Sequence, residues 1–282
     1  MNKKRIALSA VEGTAIDMES YQERKHIKKQ KMDVDIVGFD VDSGEKTQST
    51  SAAFVHKQGF YEKYIKRLLD IICSGAALIV LSPVMLVTAV AVRISLGAPV
   101  LFVQERLGKD EVPFNLLKFR SMKNAFDDYG VPLPDQQRIT KTGRMIRKLS
   151  LDELPSLLNI FRGDMSLVGP RPLPTNYGPW FYNNERKRHS VKGGLTGLAQ
   201  IHGRNTISWE ERFAYDIQYV DHVTFFNDIK IILKTVELVL KRSGIGERGI
   251  NSPGDFHVYR SGMTEQELVM WEKTQKERSC NA

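Results

Sequence analysis

The sequence predicts an α+β chain, mainly helical, in which one long apolar helix precedes a compact domain carrying a small β-hairpin. Three observations predict it. Residues 71–92, IICSGAALIVLSPVMLVTAVAV, form a run of 22 residues without one charge. Residues 100–106 and 113–120 are short Val-, Leu- and Phe-rich runs joined by Leu-Gly-Lys-Asp-Glu-Val, the signature of a hairpin. Farther on, Trp209, Phe213, Ile217 and Val220, and then Phe225, Phe226, Ile229, Ile232, Leu233, Val236 and Leu240, recur at helical spacing and define two amphipathic helices.

Composition sets the outer limits. The 282 residues include 41 basic and 33 acidic side chains, a net charge of +8, and that length suits one or two domains. With 41 % hydrophobic residues, 13 Phe, 9 Tyr and 3 Trp, the chain can build a core, which excludes a wholly disordered or low-complexity protein. Its negative mean hydropathy excludes a polytopic membrane protein. Residues 1–60 hold 10 basic and 9 acidic groups and residues 243–282 hold 5 and 6, so the middle carries the entire excess. A basic core between near-neutral ends implies an anionic partner: phosphate, nucleic acid or a lipid headgroup. Only two cysteines occur, Cys73 in the apolar run and Cys280 in the polar tail, and the six histidines lack ligand spacing. No disulfide framework or zinc site is encoded. The Met-Asn-Lys-Lys-Arg start is followed by too short an apolar stretch for a cleaved signal.

Residues 1–59 alternate lysine-rich and acidic stretches and offer little apolar surface to offset ordering entropy, so a flexible polar arm without chemistry is expected, although residues 34–41 alternate enough for a short strand. As a continuous helix the uncharged run would reach about 33 Å, enough to cross a bilayer core. Membrane insertion is favoured over a buried core helix because soluble core helices seldom stay uncharged beyond about 18 residues. Ser82-Pro83 lies at its middle. Proline there removes an N–H and frees carbonyls near Leu78 and Ile79, for which the Ser82 hydroxyl is a local partner. Lys63, Lys66 and Arg67 precede the run, and Arg93, Arg106 and Lys109 follow it. Basic residues at both ends leave two topologies open, a helix that enters and leaves by one membrane face, and an ordinary proline-kinked span.

Beyond the hairpin, residues 123–137 read as a surface loop, and Arg138, Lys141, Arg144 and Arg147 then recur every third residue as a cationic helical stripe beside Lys148. Residues 163–179 are dense in Gly and Pro and predict no long regular structure. The two amphipathic helices fit a core or a membrane interface equally well. Residues 243–282 read as a tail with a short helix over 264–276.

The densest chemistry follows the stripe. Asp152 and Glu153 are adjacent carboxylates, and Pro155 fits the first turn of a helix, which puts Asp152 near the N-cap and lets Ser150 and Glu153 spell a capping box. Local sequence alone favours that capping role. The neighbours suggest another. A helix N-terminus among arginines binds phosphate, paired carboxylates hold Mg²⁺, and an aspartate can be a phosphoryl-accepting nucleophile. Lys118 and Arg120 on the second hairpin strand, and Arg171 in Gly-Pro-Arg-Pro, are further phosphate-clamp candidates.

Four ordered motifs bring these residues together: Leu117-Lys-Phe-Arg-Ser-Met, Arg147-Lys-Leu-Ser-Leu-Asp-Glu-Leu-Pro, Gly163-Asp-Met-Ser-Leu-Val-Gly-Pro-Arg-Pro and Gly203-Arg-Asn-Thr-Ile-Ser-Trp-Glu-Glu-Arg-Phe. Over about residues 60–245 the chain resembles the bacterial sugar transferases, the monotopic phosphoglycosyl transferases. The resemblance implies a re-entrant membrane helix over 60–98, broken at Ser82-Pro83. It also implies a catalytic domain over 99–245, on the cytoplasmic face of the bacterial inner membrane; the arm and the tail, 246–282, match nothing. The implied reaction moves a sugar 1-phosphate from a UDP-sugar to polyprenol (undecaprenyl) phosphate and releases UMP, as the first membrane step of glycoconjugate, exopolysaccharide or capsule synthesis. Asp152 then matches the nucleophile, Glu153 its partner in Mg²⁺ binding, and Lys118, Arg147 and Arg171 the basic positions around the diphosphate. Downstream glycosyltransferases are implied partners. Residues 203–211 and 221–226 look more like the small members that use N-acetylated amino sugars than like those that use plain hexoses.

Two other classes are weighed against this. A membrane-tethered nucleic-acid or partner-binding module would use the basic core electrostatically, but no aromatic residues interleave the basic run and two carboxylates oppose a phosphate backbone there, so no nucleic acid is expected. A nucleotide-sugar diphosphatase would share the cations and Mg²⁺ but deliver the phosphosugar to water.

Overall fold

A helical turn at Tyr61–Ile65 runs directly into α1, Lys66–Leu96, a 31-residue helix that contains the whole uncharged run. In this computed structural model the described residues are 56–128, 133–203, 207–241, 255–264 and 266–269, all within one unit, residues 53–282. Nearly all of the polar arm, and the strand considered at 34–41, lie outside them. Helical structure continues through Pro83, so the expected break is no interruption of the helix. Its physical reason is the one the sequence offered: Ser82 Oγ donates to the Ile79 carbonyl at 2.8 Å, which partners a group the proline leaves without its N–H.

Both halves of α1 lie against the same domain. Ala77, Leu78 and Leu81 pack on Leu116, Leu157, Ile160 and Met165, while Met85, Ala89, Val92 and Leu96 pack with Phe119 and Ile146. Near its start, the buried Asp70 accepts from Ser166 Oγ at 3.1 Å and from the Leu167 N–H at 2.9 Å. At its end, Arg120 donates to the carbonyls of Leu96, Gly97 and Ala98. The opposite face exposes Ile72, Ile79, Val80, Leu86, Val87 and Ile94. Tyr61–Leu96 is, among the described residues, the one helix long and apolar enough to cross a membrane.

The hairpin forms as the β-type runs predict. Strands β1, Leu101–Leu107, and β2, Pro113–Phe119, pair antiparallel with Leu101 opposite Phe119 and Leu107 opposite Pro113. The cationic stripe does not form one helix face. Arg138 ends a separate turn, Asp135–Arg138, and Ile139 is extended. Thr140 then starts α2, Lys141–Lys148, by accepting the Gly143 N–H on its side chain.

A 3₁₀ turn, Leu151–Glu153, leads to α3, Ser156–Arg162, which ends at Gly163 with φ 102°, a left-handed residue suited to glycine. The Gly/Pro-rich stretch contains β3, Ser166–Val168, paired in parallel with β4, Gly194–Thr196. Three-residue strands carry no alternation to read, so this pairing was not foreseen. Helices α4, Leu198–His202, α5, Trp209–Asp221, and α6, Phe225–Leu240, follow. On α5 the predicted face is inward, with Trp209, Phe213 and Val220 buried. On α6 Ile231 is buried, but Phe226, Leu233 and Leu240 stay 83 %, 65 % and 76 % exposed. Helix α7, Phe256–Ser261, lies in the expected tail, yet Phe256 is fully buried among Tyr177, Phe181, Trp209 and Phe213. The tail is therefore partly core; most of the helix expected over 264–276 falls outside the described residues.

The approach of α2 to the strand end is the tightest packing near the cationic residues. A Cβ on Gly143 would stand 1.8 Å from the Ser121 carbonyl oxygen, so Gly143→Ala must push α2 away. Thermal unfolding of this variant is expected to show a loss of about 1–3 kcal/mol; an unchanged midpoint would contradict the packing.

Candidate active site

The two carboxylates of the Asp-Glu pair are delivered by a turn lashed to β2. Ser156 Oγ donates to the Leu117 carbonyl at 2.8 Å. The Asn159 amide accepts the Leu117 N–H at 3.0 Å and donates to the Asn115 carbonyl at 2.8 Å. These bonds fix the start of α3 against the strand that carries Lys118. The capping role favoured by local sequence is not what forms. Ser150 adopts φ 55° and its side chain caps nothing, and α3 begins at Pro155 and Ser156 without a side-chain cap. Both carboxylates lie on the 3₁₀ turn that precedes the helix, and neither caps it.

They then part company. Glu153 Oε1 receives Lys118 Nζ at 2.8 Å and Arg171 Nη2 at 2.6 Å. Asp152 takes no hydrogen bond or ion pair among the described residues. Burial pushes the Asp152 carboxyl above the ordinary aspartate range and the Glu153 charge adds to that, against the opposing pull of Lys118, Arg147 and Arg171. Burial pushes Glu153 upward too, but Arg171 and Lys118 outweigh it and hold Glu153 well below the usual range. Burial lowers Lys118, and the Glu153 charge raises Arg171. One carboxylate is thus a fixed anion that gathers two cations, and its neighbour is a carboxylate with no such partner within their field.

Lys118, Glu153 and Arg171 line a shallow pocket with Arg106, Ser156 and Met165. Its far wall needs glycine, because a Cβ on Gly194 would stand 2.1 Å from the Gly169 N–H nitrogen. The other candidates differ in place. Arg147 is held by Ser121 Oγ at 2.9 Å and Asp135 Oδ2 at 3.2 Å, beside the Met122 sulfur, though its charge reaches Asp152. Arg120 does not join the group, since its guanidinium is spent on the carbonyls that end α1, where a cation meets the negative end of the helix. Arg106, which in the sequence was only a flanking charge, is the pocket residue that sequence reasoning missed. Its position two residues before the hairpin turn, directly opposite Phe114, was the available signal.

Among the described residues no group of three or more His, Cys, Asp or Glu side chains could hold a metal. The donors present do fit Mg²⁺ in its substrate-assisted mode, in which one or two carboxylates share the ion with substrate phosphate oxygens. Asp152 is unpartnered, and both protein bonds to Glu153 fall on Oε1, which leaves Oε2.

The family profile described as bacterial sugar transferase matches residues 61–242. The uncharacterized sugar transferase EpsL of Bacillus subtilis is 51 % identical over 181 residues, which span 64 % of this chain and 90 % of EpsL. The undecaprenyl-phosphate galactose phosphotransferase of Salmonella typhimurium is 37 % identical over 199 residues, 64 % of this chain but 42 % of that protein. The UDP-glucose:undecaprenyl-phosphate glucose-1-phosphate transferase of Caulobacter vibrioides is 37 % identical over 185 residues, 62 % of this chain and 69 % of its own length.

The contrast between the carboxylates has a measurable consequence. A carboxyl whose pKa is higher folded than unfolded binds its proton more tightly in the fold, so stability falls as pH rises through that interval and the ionised group is a net cost at neutral pH. At pH 7.5 Asp152→Asn is expected to raise the melting temperature, whereas Glu153→Gln, which strips Lys118 and Arg171 of their anion, lowers it. The reverse order would contradict the assignment.

Proposed function

The chain belongs to the bacterial sugar transferase family, and from that premise we propose that it transfers a sugar 1-phosphate from a UDP-sugar to undecaprenyl phosphate through a covalent intermediate on Asp152. The single observation that carries this is the division of labour between the adjacent carboxylates: Glu153 is paired twice with cations, while Asp152 is left unpaired beside them. In the first half-reaction an Asp152 oxygen attacks the sugar-bearing phosphorus of the UDP-sugar. The bond from that phosphorus to the bridging oxygen breaks, and UMP leaves with the electron pair. In the second half-reaction an oxygen of undecaprenyl phosphate attacks the same phosphorus, the aspartyl bond breaks, and Asp152 returns as a carboxylate. Lys118 and Arg171 face the charge on the phosphoryl oxygens in both steps. Glu153 holds those two cations in place. Mg²⁺ bound by Asp152 and Glu153 would supply further neutralisation of the diphosphate.

The membrane reading is supported by the packing of α1. A straight 31-residue helix is about 46 Å long, yet its start is bonded to Ser166 and Leu167 and its end to Arg120, all of one domain. A helix that spanned the bilayer would hold these ends on opposite sides. Re-entry from the cytoplasmic face of the inner membrane leaves both ends on one side of the bilayer, with the exposed faces of α1 and α6 in lipid. Such a site at the interface serves a soluble nucleotide sugar and a lipid-bound acceptor in turn.

Purified protein with Mg²⁺, undecaprenyl phosphate and a panel of UDP-sugars is expected to release UMP and form the diphosphate-linked lipid, fastest with an N-acetylated amino sugar. Asp152→Asn is expected to lose at least about a thousandfold in rate. Retained activity in that variant would refute the covalent role, and continuous UMP release without the lipid would mark a diphosphatase. For topology, single cysteines at Lys63 and Arg93, both exposed, in a chain whose Cys73 and Cys280 are replaced, should both be labelled from the cytoplasmic side. Labelling from opposite sides would mean a span.

A further inference from the structure

The segment Gly169-Pro-Arg-Pro-Leu-Pro carries prolines at 170, 172 and 174, so alternate residues lack an N–H and the segment cannot build a hydrogen-bond ladder of its own. Its carbonyls are instead taken one by one by outside donors. Pro170 is held by the Gly194 N–H at 2.9 Å and Leu173 by the Leu107 N–H at 2.9 Å. Pro172 is held by Arg106 Nη1 at 3.2 Å, and Arg171 by Arg188 Nη2 at 2.7 Å.

The Arg188 bond is unlike the others. Arg188 belongs to the 3₁₀ segment Asn184–Ser190 and is 2 % exposed. Its guanidinium meets Asp216 Oδ2 of α5 through Nε at 3.0 Å and Nη2 at 2.8 Å. It lies 5.7 Å from the Phe181 ring centroid and 5.4 Å from that of Phe213. Burying an ion pair among aromatic rings carries a desolvation cost that two apolar side chains of similar volume would avoid. What apolar side chains cannot do is donate to the Arg171 carbonyl. One Nη2 nitrogen has two protons, and here one goes to Asp216 and the other to Arg171; a lysine ammonium has no such planar fork.

We propose that Arg188, oriented by Asp216, is a positioning residue that fixes the backbone of Arg171 so that the Arg171 guanidinium lands on Glu153 and on the substrate diphosphate. The inference rests on the reading of Arg171 as a phosphate-facing cation. Asp216 is the second half of the device: it sets the plane of the guanidinium and thereby the direction of the remaining Nη2 proton.

The test is a double-mutant cycle on the full chain in detergent or nanodiscs, with undecaprenyl phosphate and the UDP-sugar it turns over, beside a melting curve for every variant. Arg188→Lys is expected to stay folded and to lose about tenfold to a hundredfold in kcat/KM for the UDP-sugar. The loss should divide between kcat and KM as it does in Arg171→Ala. In the Arg171→Ala background Arg188→Lys should add little, because the group it positions is gone. Where Arg188→Lys unfolds, Asp216→Asn, which keeps an acceptor oxygen for Arg188, carries the same cycle. Wild-type activity in the folded single variant, or losses that multiply in the double variant, would overturn the proposal. If Arg171→Ala itself retains full activity, the reading of Arg171 fails first, and the two failures are told apart.

Discussion

Two cations from distant parts of the chain, Lys118 on β2 and Arg171 in a proline-rich segment, meet on a single oxygen of Glu153. Almost everything else near the pocket is arranged so that they can. The hairpin presents Lys118, and Ser156 and Asn159 tie the turn bearing Glu153 to that strand. The parallel pairing of β3 and β4 draws residues 169–173 against residues 193–197. Two like charges brought together in a half-buried site repel, and Glu153 is the counter-charge that makes their proximity stable. Once Glu153 is committed in this way, Asp152 has cations nearby but none bound to it. In the proposed reaction, the reactivity of Asp152 follows from satisfaction at Glu153.

The long apolar helix imposes the second constraint. One face of it exposes large apolar side chains, while its ends are bonded to the domain that holds the pocket. The exposed apolar residues of α6 lie on the element whose Asp228 is bonded to Tyr61 and Lys66 at the start of α1. The apolar surfaces of the two helices are therefore mechanically joined through a buried polar cluster, and the pocket is fixed in relation to both.

Much of this was legible in the residues. The hairpin and both amphipathic helices are long enough for their periodicity to show and formed within a residue or two of their expected bounds, while the helix containing the uncharged run extends it by five residues at the start and four at the end. The role of Ser82 as partner to a freed carbonyl was readable from Pro83 alone. The failures have local causes. The capping box at Ser150 and Glu153 was overridden because Glu153 found two cations that no short-range pattern names. Lys118 lies on β2 and Arg120 just past its end, and although the two are only two residues apart, Arg120 closes α1 while Lys118 faces the pocket. The stripe through Arg138 was split by the cap at Thr140, and Phe256 entered the core from a stretch whose composition reads as a tail.

The central claim is that Asp152 becomes covalently bonded to the phosphosugar. Intact-protein mass spectrometry after mixing the enzyme with Mg²⁺ and its UDP-sugar, with no polyprenol phosphate present, tests it most directly. The account predicts a mass increase of one sugar phosphate, one UMP released per enzyme molecule, the adduct mapped to Asp152, and its discharge when undecaprenyl phosphate is added. Transfer to the lipid with no adduct in the wild-type protein, and UMP released only when the lipid is present, would contradict it.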